Sequence, residues 1–168
     1  MTLRHHYRVD VEWTGNRGSG TDGYRNYGRD HVIRIDGKPE LAGSADPTFR
    51  GDAVRHNPED MLVSALSACH MLSYLHMATV AGVVVIAYCD AAQGTMVTEG
   101  VGGCFAEVVL RPTVTISLTS DPAKAQAAHG DAHDACFIAN SVNFPVRCEP
   151  RIVVEQGIPQ GDFVGNGE

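Results

Sequence analysis

The fold of this chain is decided by residues 57–82, which read NPEDMLVSALSACHMLSYLHMATVAG. Asn57 can cap a helix, Pro58 suits the first helical position, and the two acids that follow place negative charge where the helix dipole favours it. From Met61 to Ala81 the side chains are apolar or small on nearly every side, and Gly82 then ends the helix. We therefore predict one long helix at the centre of the fold.

Strands and one long loop are predicted before this helix. A half-buried strand is indicated by the alternation of Tyr7, Val9, Val11 and Trp13. A second strand, about 31–35, runs into Asp36-Gly37, a pair that suits a tight hairpin turn. Residues 41–55 have no period and predict a loop of about 15 residues, a length that is often functional.

Further strands and a second helix are predicted after the central helix. Residues 83–88 are β-branched enough for a strand, and the alternation over 105–118 predicts one long strand with one buried face. Asp121 and Pro122 repeat the signature of a cap followed by proline, which predicts a helix to about Ala139. A last strand over 146–154, next to two prolines, belongs at an edge or near a bend. This order predicts an α+β domain.

Size and composition limit the classes of protein that fit. At 168 residues and 18.0 kDa, the chain predicts a single domain over 1–168, with a loose tail over Gln156–Glu168. The longest apolar run, 77–88, is shorter than the roughly 20 residues of a membrane span, and the start shows no signal sequence, so we expect a cytoplasmic protein away from membranes. A net charge of -7 argues against nucleic-acid binding.

The five cysteines predict neither a disulfide framework nor a thiolate zinc site, since their number is odd and their spacing wide. Cys69 lies in the first predicted helix and Cys136 in the second. Buried helices in a small domain must pack together, so this pair could come within disulfide reach, which requires Cα atoms at most about 7 Å apart. The alternative for each is an inert core thiol.

Two segments resemble a known family. Asn57–Leu62 followed by Ala65–Cys69 is similar to the motif of the first cysteine in the OsmC/Ohr proteins, the osmotically inducible and organic hydroperoxide resistance proteins. Cys136–Val142 resembles the block around the second cysteine of that family. The order of strands and helices also matches, so the resemblance covers nearly the whole chain.

The resemblance implies a fold, an assembly and a chemistry. The fold is OsmC-like, with an N-terminal β-meander and two central helices packed against antiparallel sheets, in an intertwined homodimer. The activity is that of a thiol peroxidase without a cofactor, acting on organic hydroperoxides and restored by a small or protein-bound dithiol. By matching position, Cys69 is the peroxidatic cysteine and Cys136 the resolving one. Apolar neighbours would favour organic over hydrogen peroxide; they are Leu62, Leu66, Met71, Tyr74 and Phe137.

The family also uses an arginine and a glutamate to activate the thiol. The glutamate matches Glu59, which lies roughly 15 Å along the helix from Cys69 and so must act through a long arginine or on the partner subunit. Arg29, in Gly28-Arg29-Asp30, resembles the segment that carries the arginine in the hydroperoxide-resistance branch. Arg50 is the rival, because the osmotically inducible branch takes its arginine from a later strand.

Several residues depart from the family pattern or stay outside it. Phe137 and His70 replace residues usual after the two cysteines, and we expect His70 to be an ordinary helix residue. The loop 44–52 resembles a less-studied OsmC-like subgroup, which weakens the substrate assignment. The remaining cysteines are expected to be bystanders on strands: Cys89, Cys104 and Cys148.

Two functions of other classes stay open. His129, His133 and Cys136 fall at i, i+4 and i+7, so on one helix they would share a face and could bind zinc. Alternatively, the same fold could serve as a redox-sensing or small-molecule-binding module that keeps both thiols without turnover.

Overall fold

The computed structural model describes residues 3–156 and has an α+β fold with two helices and three small sheets over that range. Of the predicted tail, residues 157–168 lie outside the described residues. The chain divides into two compact units, Met1–Leu62 and Val63–Glu168. That the whole chain is a single domain stays a prediction.

The first unit contains an antiparallel β-meander. Its strands pair in chain order and are β1 (Asp10–Trp13), β2 (His31–Arg34) and β3 (Leu41–Gly43). In the turn between β2 and β3 the Lys38 N–H donates to the Ile35 carbonyl at 3.0 Å. Gly37 has a φ of 72° there, a value that favours glycine. The predicted meander and its turn are therefore confirmed.

Two details of this unit differ from the prediction. β1 is exposed along its whole length, with Val11 65% and Trp13 42% exposed, because nothing among residues 3–156 covers them. The segment predicted as an aperiodic loop begins with β3 and later forms a 3₁₀ helix, Pro47–Phe49. Its start is held by the Asp46 side chain, which accepts from the Thr48 N–H at 2.7 Å.

The central helix α1 spans Pro58–Val80 and begins and ends as predicted. The Asn57 side chain accepts from the Asp60 N–H at 2.7 Å. At the other end Gly82 has a φ of 73°, and the Val83 N–H donates to the Ala78 carbonyl at 2.8 Å, which closes the last turn. The helix is long and apolar enough to cross a membrane, a property that core helices of soluble proteins share.

Among the described residues, the buried side chains of α1 form one stripe. It repeats every four residues and consists of Leu66, His70, Tyr74 and Ala78. The burial on all sides that the composition predicts is therefore not reached within residues 3–156. Leu72 and Val80, on the remaining surface, are 63% and 71% exposed.

Two three-stranded sheets form the second unit, together with the rest of α1 and a second helix. One sheet has the order β4 (Val85–Asp90), β7 (Pro112–Ile116), β9 (Arg151–Val154), and the other β5 (Gln93–Glu99), β6 (Gly102–Leu110), β8 (Val146–Cys148). β4 with β7 and β5 with β6 are antiparallel, whereas β7 with β9 and β6 with β8 are parallel. The sheets are thus mixed, where the resemblance implied antiparallel ones.

Two predicted strands are each divided between these sheets. The strand predicted over 105–118 breaks at Arg111, whose N–H donates to an Asp90 carboxylate oxygen at 2.7 Å, and the following Pro112 has no N–H to offer. The strand predicted over 146–154 breaks around Pro150, which also has no N–H to offer. The predicted alternation holds after the first break, where Val114 and Ile116 are buried, but not before it, where Val109 is buried between Val108 and Leu110.

The second helix, α2, spans Pro122–Ala135, and the Asp121 side chain caps it by accepting from the Ala123 N–H at 2.8 Å. It ends before the predicted Ala139. Its alanines pack against α1 and β7 in one core, where the Tyr74 hydroxyl donates to the Ala125 carbonyl at 3.2 Å. The two helices therefore pack together, as we predicted for the helices that carry Cys69 and Cys136.

Candidate active site

The two cysteines of the predicted redox pair come from the two helices of the second unit. Cys69 lies within α1 and is half-buried. Cys136 is fully buried, and it is the C-cap of α2 rather than a residue inside the helix, as had been predicted. Its backbone is extended, with φ −77° and ψ 106°, so its side chain leaves the helical face.

The structure brings these two thiols together. Burial, followed by the interaction with the neighbouring Cys69 thiol, raises the pKa of Cys136 to about 11. Both are free thiols. Two neighbouring thiols can be oxidised to a disulfide, so this arrangement can store two electrons reversibly.

Arg29 and Glu59 lie together in the first unit, on the wall of an open cavity of about 320 Å³. The Arg29 guanidinium donates to the carbonyls of Tyr27 at 2.6 Å and Tyr24 at 2.8 Å. It also lies over both tyrosine rings, 4.1 Å and 4.3 Å from their centres. Oε2 of Glu59 is buried and has no hydrogen-bond partner among residues 3–156. This unit therefore holds a fixed cation beside a carboxylate that can still accept a hydrogen bond.

The rival arginine is placed differently. Arg50 caps the 3₁₀ helix Pro47–Phe49, has a φ of 68°, and is exposed. It is not among the described residues that line the cavity of Arg29 and Glu59. The structure thus groups Arg29, and not Arg50, with Glu59.

The three cysteines expected to be bystanders divide into two kinds. Cys89 and Cys104 are exposed on β4 and β6, the strands on which bystander cysteines were expected. Cys148, on β8, instead lies against two histidines, with Sγ 3.4 Å from Nε2 of His70 and 3.8 Å from Nδ1 of His129. No sequence motif signals this cluster, because its members are far apart in the chain.

His70 is therefore not an ordinary helix residue. It is 1% exposed, and its Nε2 lies 3.1 Å from Nδ1 of His129, so one imidazole donates to the other. His129 in turn stacks on the Tyr74 ring, with 3.9 Å between ring centres. Burial lowers the pKa of His70 and lowers that of His129 to about 4, while burial raises the pKa of Cys148 to about 12. All three are uncharged at neutral pH.

The zinc set proposed from helical spacing is corrected by the structure. His129 is buried, not exposed, and Cys136 lies past the end of α2, so the spacing with His133 does not put three donors on one face. Among residues 3–156, the metal-ligand atoms that come together are those of His70, His129 and Cys148.

Comparison with known proteins shows the family of this chain. The family model described as OsmC-like protein matches residues 51–151, which is more than half of the chain. This protein belongs to the OsmC-like family. No curated protein gives a significant match to it. The resemblance of its two cysteine segments is thereby confirmed at the level of the family.

Solved OsmC-like structures share its fold. An OsmC-like protein of unknown function from Vibrio cholerae is 34% identical, with a TM-score of 0.78, covering 88% of this chain and 99% of that one. An organic hydroperoxide resistance protein OsmC from Legionella pneumophila is 16% identical, with a TM-score of 0.66, covering 91% and 100%. The organic hydroperoxide resistance protein OhrB of Bacillus subtilis is 17% identical, with a TM-score of 0.60, covering 89% and 98%. The last two show the fold alone.

Proposed function

We propose that this OsmC-like protein is a thiol-dependent peroxidase that reduces organic hydroperoxides, with Cys69 as the peroxidatic and Cys136 as the resolving cysteine. The observation that supports it is the contact between these two thiols, one half-buried on α1 and one fully buried at the end of α2. A half-buried thiol can meet a peroxide, and its neighbour is sheltered from it.

The proposed cycle conserves atoms and electrons. The Cys69 thiolate attacks one peroxide oxygen, an S–O bond forms as the O–O bond breaks, and the alkoxide takes a proton and leaves as alcohol. The sulfur of Cys136 then attacks the sulfenic acid, and the hydroxyl leaves with the Cys136 proton as water. A dithiol reduces the resulting disulfide by two exchange steps and becomes a disulfide itself. The raised pKa of Cys136 keeps that thiol protonated until this second step.

Arg29 and Glu59 are the proposed activating residues. Their position on one cavity wall supports assigning them together, and Arg29 is held by two carbonyls and two tyrosine rings. Arginine keeps its charge in a buried setting and can donate to a peroxide oxygen. Replacement of Arg29 by alanine should therefore lower peroxidase efficiency, whereas the same change at Arg50 should leave it near the parent value.

The proposed substrate class is alkyl and aryl hydroperoxides. Leu66 and Tyr74 are fully buried and serve packing, while Phe137, next to Cys136, is 81% exposed and free to contact an organic tail. Removal of such a tail from water contributes about 0.8 kcal/mol per CH₂ group. Three or four groups then favour an organic hydroperoxide over hydrogen peroxide by one to two orders of magnitude in catalytic efficiency.

We further propose a cytoplasmic homodimer. The uncovered apolar side chains of α1, Leu72 and Val80 among them, support a second copy of the chain as their cover. Sedimentation equilibrium should find a dimer at micromolar concentration, and a stable monomer of 18.0 kDa would refute this assembly.

The deciding experiment treats the reduced protein with cumene hydroperoxide. After one equivalent, mass spectrometry should find a disulfide between Cys69 and Cys136, and with excess dithiothreitol the peroxide should be consumed catalytically. A disulfide without turnover would support the redox sensor instead. A bridge to Cys89, Cys104 or Cys148, or no bridge at all, would contradict the assigned pair.

A further inference from the structure

A second chemically distinctive place in this protein is the cluster of His70, His129 and Cys148. Its members come from α1, α2 and β8, all within the second unit. Both histidines are buried and the cysteine is half-buried. The proposed peroxidase cycle uses none of the three, so their presence in a core that could have been apolar calls for another explanation.

The hydrogen bonding of the cluster is incomplete. One imidazole donates to the other at 3.1 Å, but the remaining ring nitrogens, Nδ1 of His70 and Nε2 of His129, have no partner among residues 3–156 although both are buried. A buried polar atom without a partner costs roughly 1–3 kcal/mol. The nitrogens nearest to the Cys148 sulfur are the other two, Nε2 of His70 and Nδ1 of His129.

The donor atoms have the chemistry and the spacing of a zinc site. Imidazole nitrogen and thiolate sulfur are ligands that zinc prefers. With Zn–N and Zn–S bonds of about 2.05 Å and 2.3 Å, tetrahedral geometry separates two nitrogens by about 3.3 Å, and a nitrogen from a sulfur by about 3.6 Å. The observed separations are 3.1 Å between the nitrogens, and 3.4 Å and 3.8 Å from sulfur to each nitrogen. Three corners of a tetrahedron are thus present.

An open cavity of about 400 Å³ adjoins the cluster. His129 and Cys148 line it, and so do His133 and Asp134. This cavity gives an ion a path to the donors and leaves room for water at a fourth coordination position, the arrangement of a zinc site that is open to ligands.

We propose that Nε2 of His70, Nδ1 of His129 and Sγ of Cys148 bind one zinc ion, with water from the cavity as the fourth ligand. Binding replaces the hydrogen bond between the imidazoles: the ring that donated moves its proton, by exchange with solvent, to its other nitrogen, so that both facing nitrogens offer a lone pair to the ion. The Cys148 thiol loses its proton to solvent, and no electron is transferred.

The test is a titration of the reduced, metal-free protein with Zn²⁺ in competition with a chromophoric chelator. We expect one ion per chain, and Cys148→Ser should weaken the affinity by at least about 100-fold. The matched controls Cys89→Ser and Cys104→Ser, together with Cys69→Ser, should leave it unchanged. Binding that survives Cys148→Ser, or no binding at micromolar zinc, overturns the proposal.

A second measurement needs no variant and so does not depend on how well Cys148→Ser folds. Iodoacetamide labelling of the parent protein, mapped by mass spectrometry, should show that Zn²⁺ protects Cys148 while the labelling of Cys89 and Cys104 is unaffected. Co²⁺ in place of zinc should give a thiolate charge-transfer band. Equal labelling of Cys148 with and without zinc would refute the site.

Discussion

Two cysteines near the ends of their elements, Cys136 and Cys148, both have a raised pKa but have different neighbours. Cys136 at the end of α2 touches another thiol, Cys69, and Cys148 on β8 touches the imidazoles of His70 and His129. Burial raises the pKa of both, to about 11 and about 12. Their acidity alone therefore does not distinguish them.

The neighbour decides what each thiol can do. A thiol beside a second thiol can form a disulfide when an oxidant such as a peroxide takes up two electrons and two protons, whereas a thiol beside two neutral imidazoles can share an ion with them. Changes at the first place should therefore alter peroxide chemistry, and changes at the second should alter stability or metal affinity. Variants at the two places therefore test this division.

The largest effect is expected for Cys69→Ser. Because serine cannot supply a thiolate, peroxidase activity with cumene hydroperoxide and dithiothreitol should fall on the order of 1,000-fold or more. Cys148→Ser, assayed in the same way, should retain activity within about threefold of the parent. If Cys148→Ser loses as much as Cys69→Ser, the two places act as one site and the division fails.

Leu66→Ala should lower stability strongly. Leu66 is fully buried, one turn before His70 on the buried stripe of α1, so its truncation should cost about 3 kcal/mol of the free energy of unfolding. Urea denaturation measures this, with Leu118→Ala as the control, since Leu118 is 61% exposed and should change stability by no more than about 0.5 kcal/mol. Equal losses would show that the surface of Leu118 is covered in solution.

The next largest effect is expected for the rate at which Cys136 is alkylated as a function of pH. With a pKa raised from 9.0 to about 11, the thiolate fraction at pH 8 is about 100-fold below that of an ordinary thiol, and the alkylation rate should follow it. Peptide mapping between pH 7 and pH 11 measures this rate. Cys69→Ala should lower the pKa only part of the way, because burial is the larger cause. An inflection at 9 in the parent would contradict the buried contact.

The same raised pKa has a consequence for stability. Because the folded state holds the Cys136 proton more tightly than the unfolded state, this thiol contributes stability below pH 9, and the contribution is lost as the pH rises through about 11. Denaturation at pH 8 and pH 10.5 should therefore show a loss for the parent that is smaller in Cys136→Ala.

The smallest effect is expected for Tyr74→Phe. The change removes the hydrogen bond to the Ala125 carbonyl but keeps the ring that stacks on His129, so it should cost about 1 kcal/mol of unfolding free energy. Peroxidase activity should be unchanged, and Tyr24→Phe, at a tyrosine that is 59% exposed, is the control for stability. A loss of activity with unchanged stability would link the histidine cluster to the peroxide chemistry.

The sequence by itself determined the features that depend on neighbouring residues. The caps at Asn57 and Asp121, the glycine stop after α1 and the alternation over Pro112–Ile116 are local, because a helix end or a strand face is set by residues a few positions apart. The family followed from two short motifs, and these also identified Cys69 and Cys136 as residues to compare in space.

Only the tertiary structure decided which distant residues meet. The breaks at Arg111 and Pro150 depend on strands changing from one sheet to the other, and strand pairing between distant segments leaves no periodic trace in the chain. Cys148 meets His70 across 78 residues and His129 across 19, through the placement of β8 beside the two packed helices. The local sequence pattern could not show whether Cys148 is a bystander, because packing, and not spacing along the chain, sets the contacts between elements.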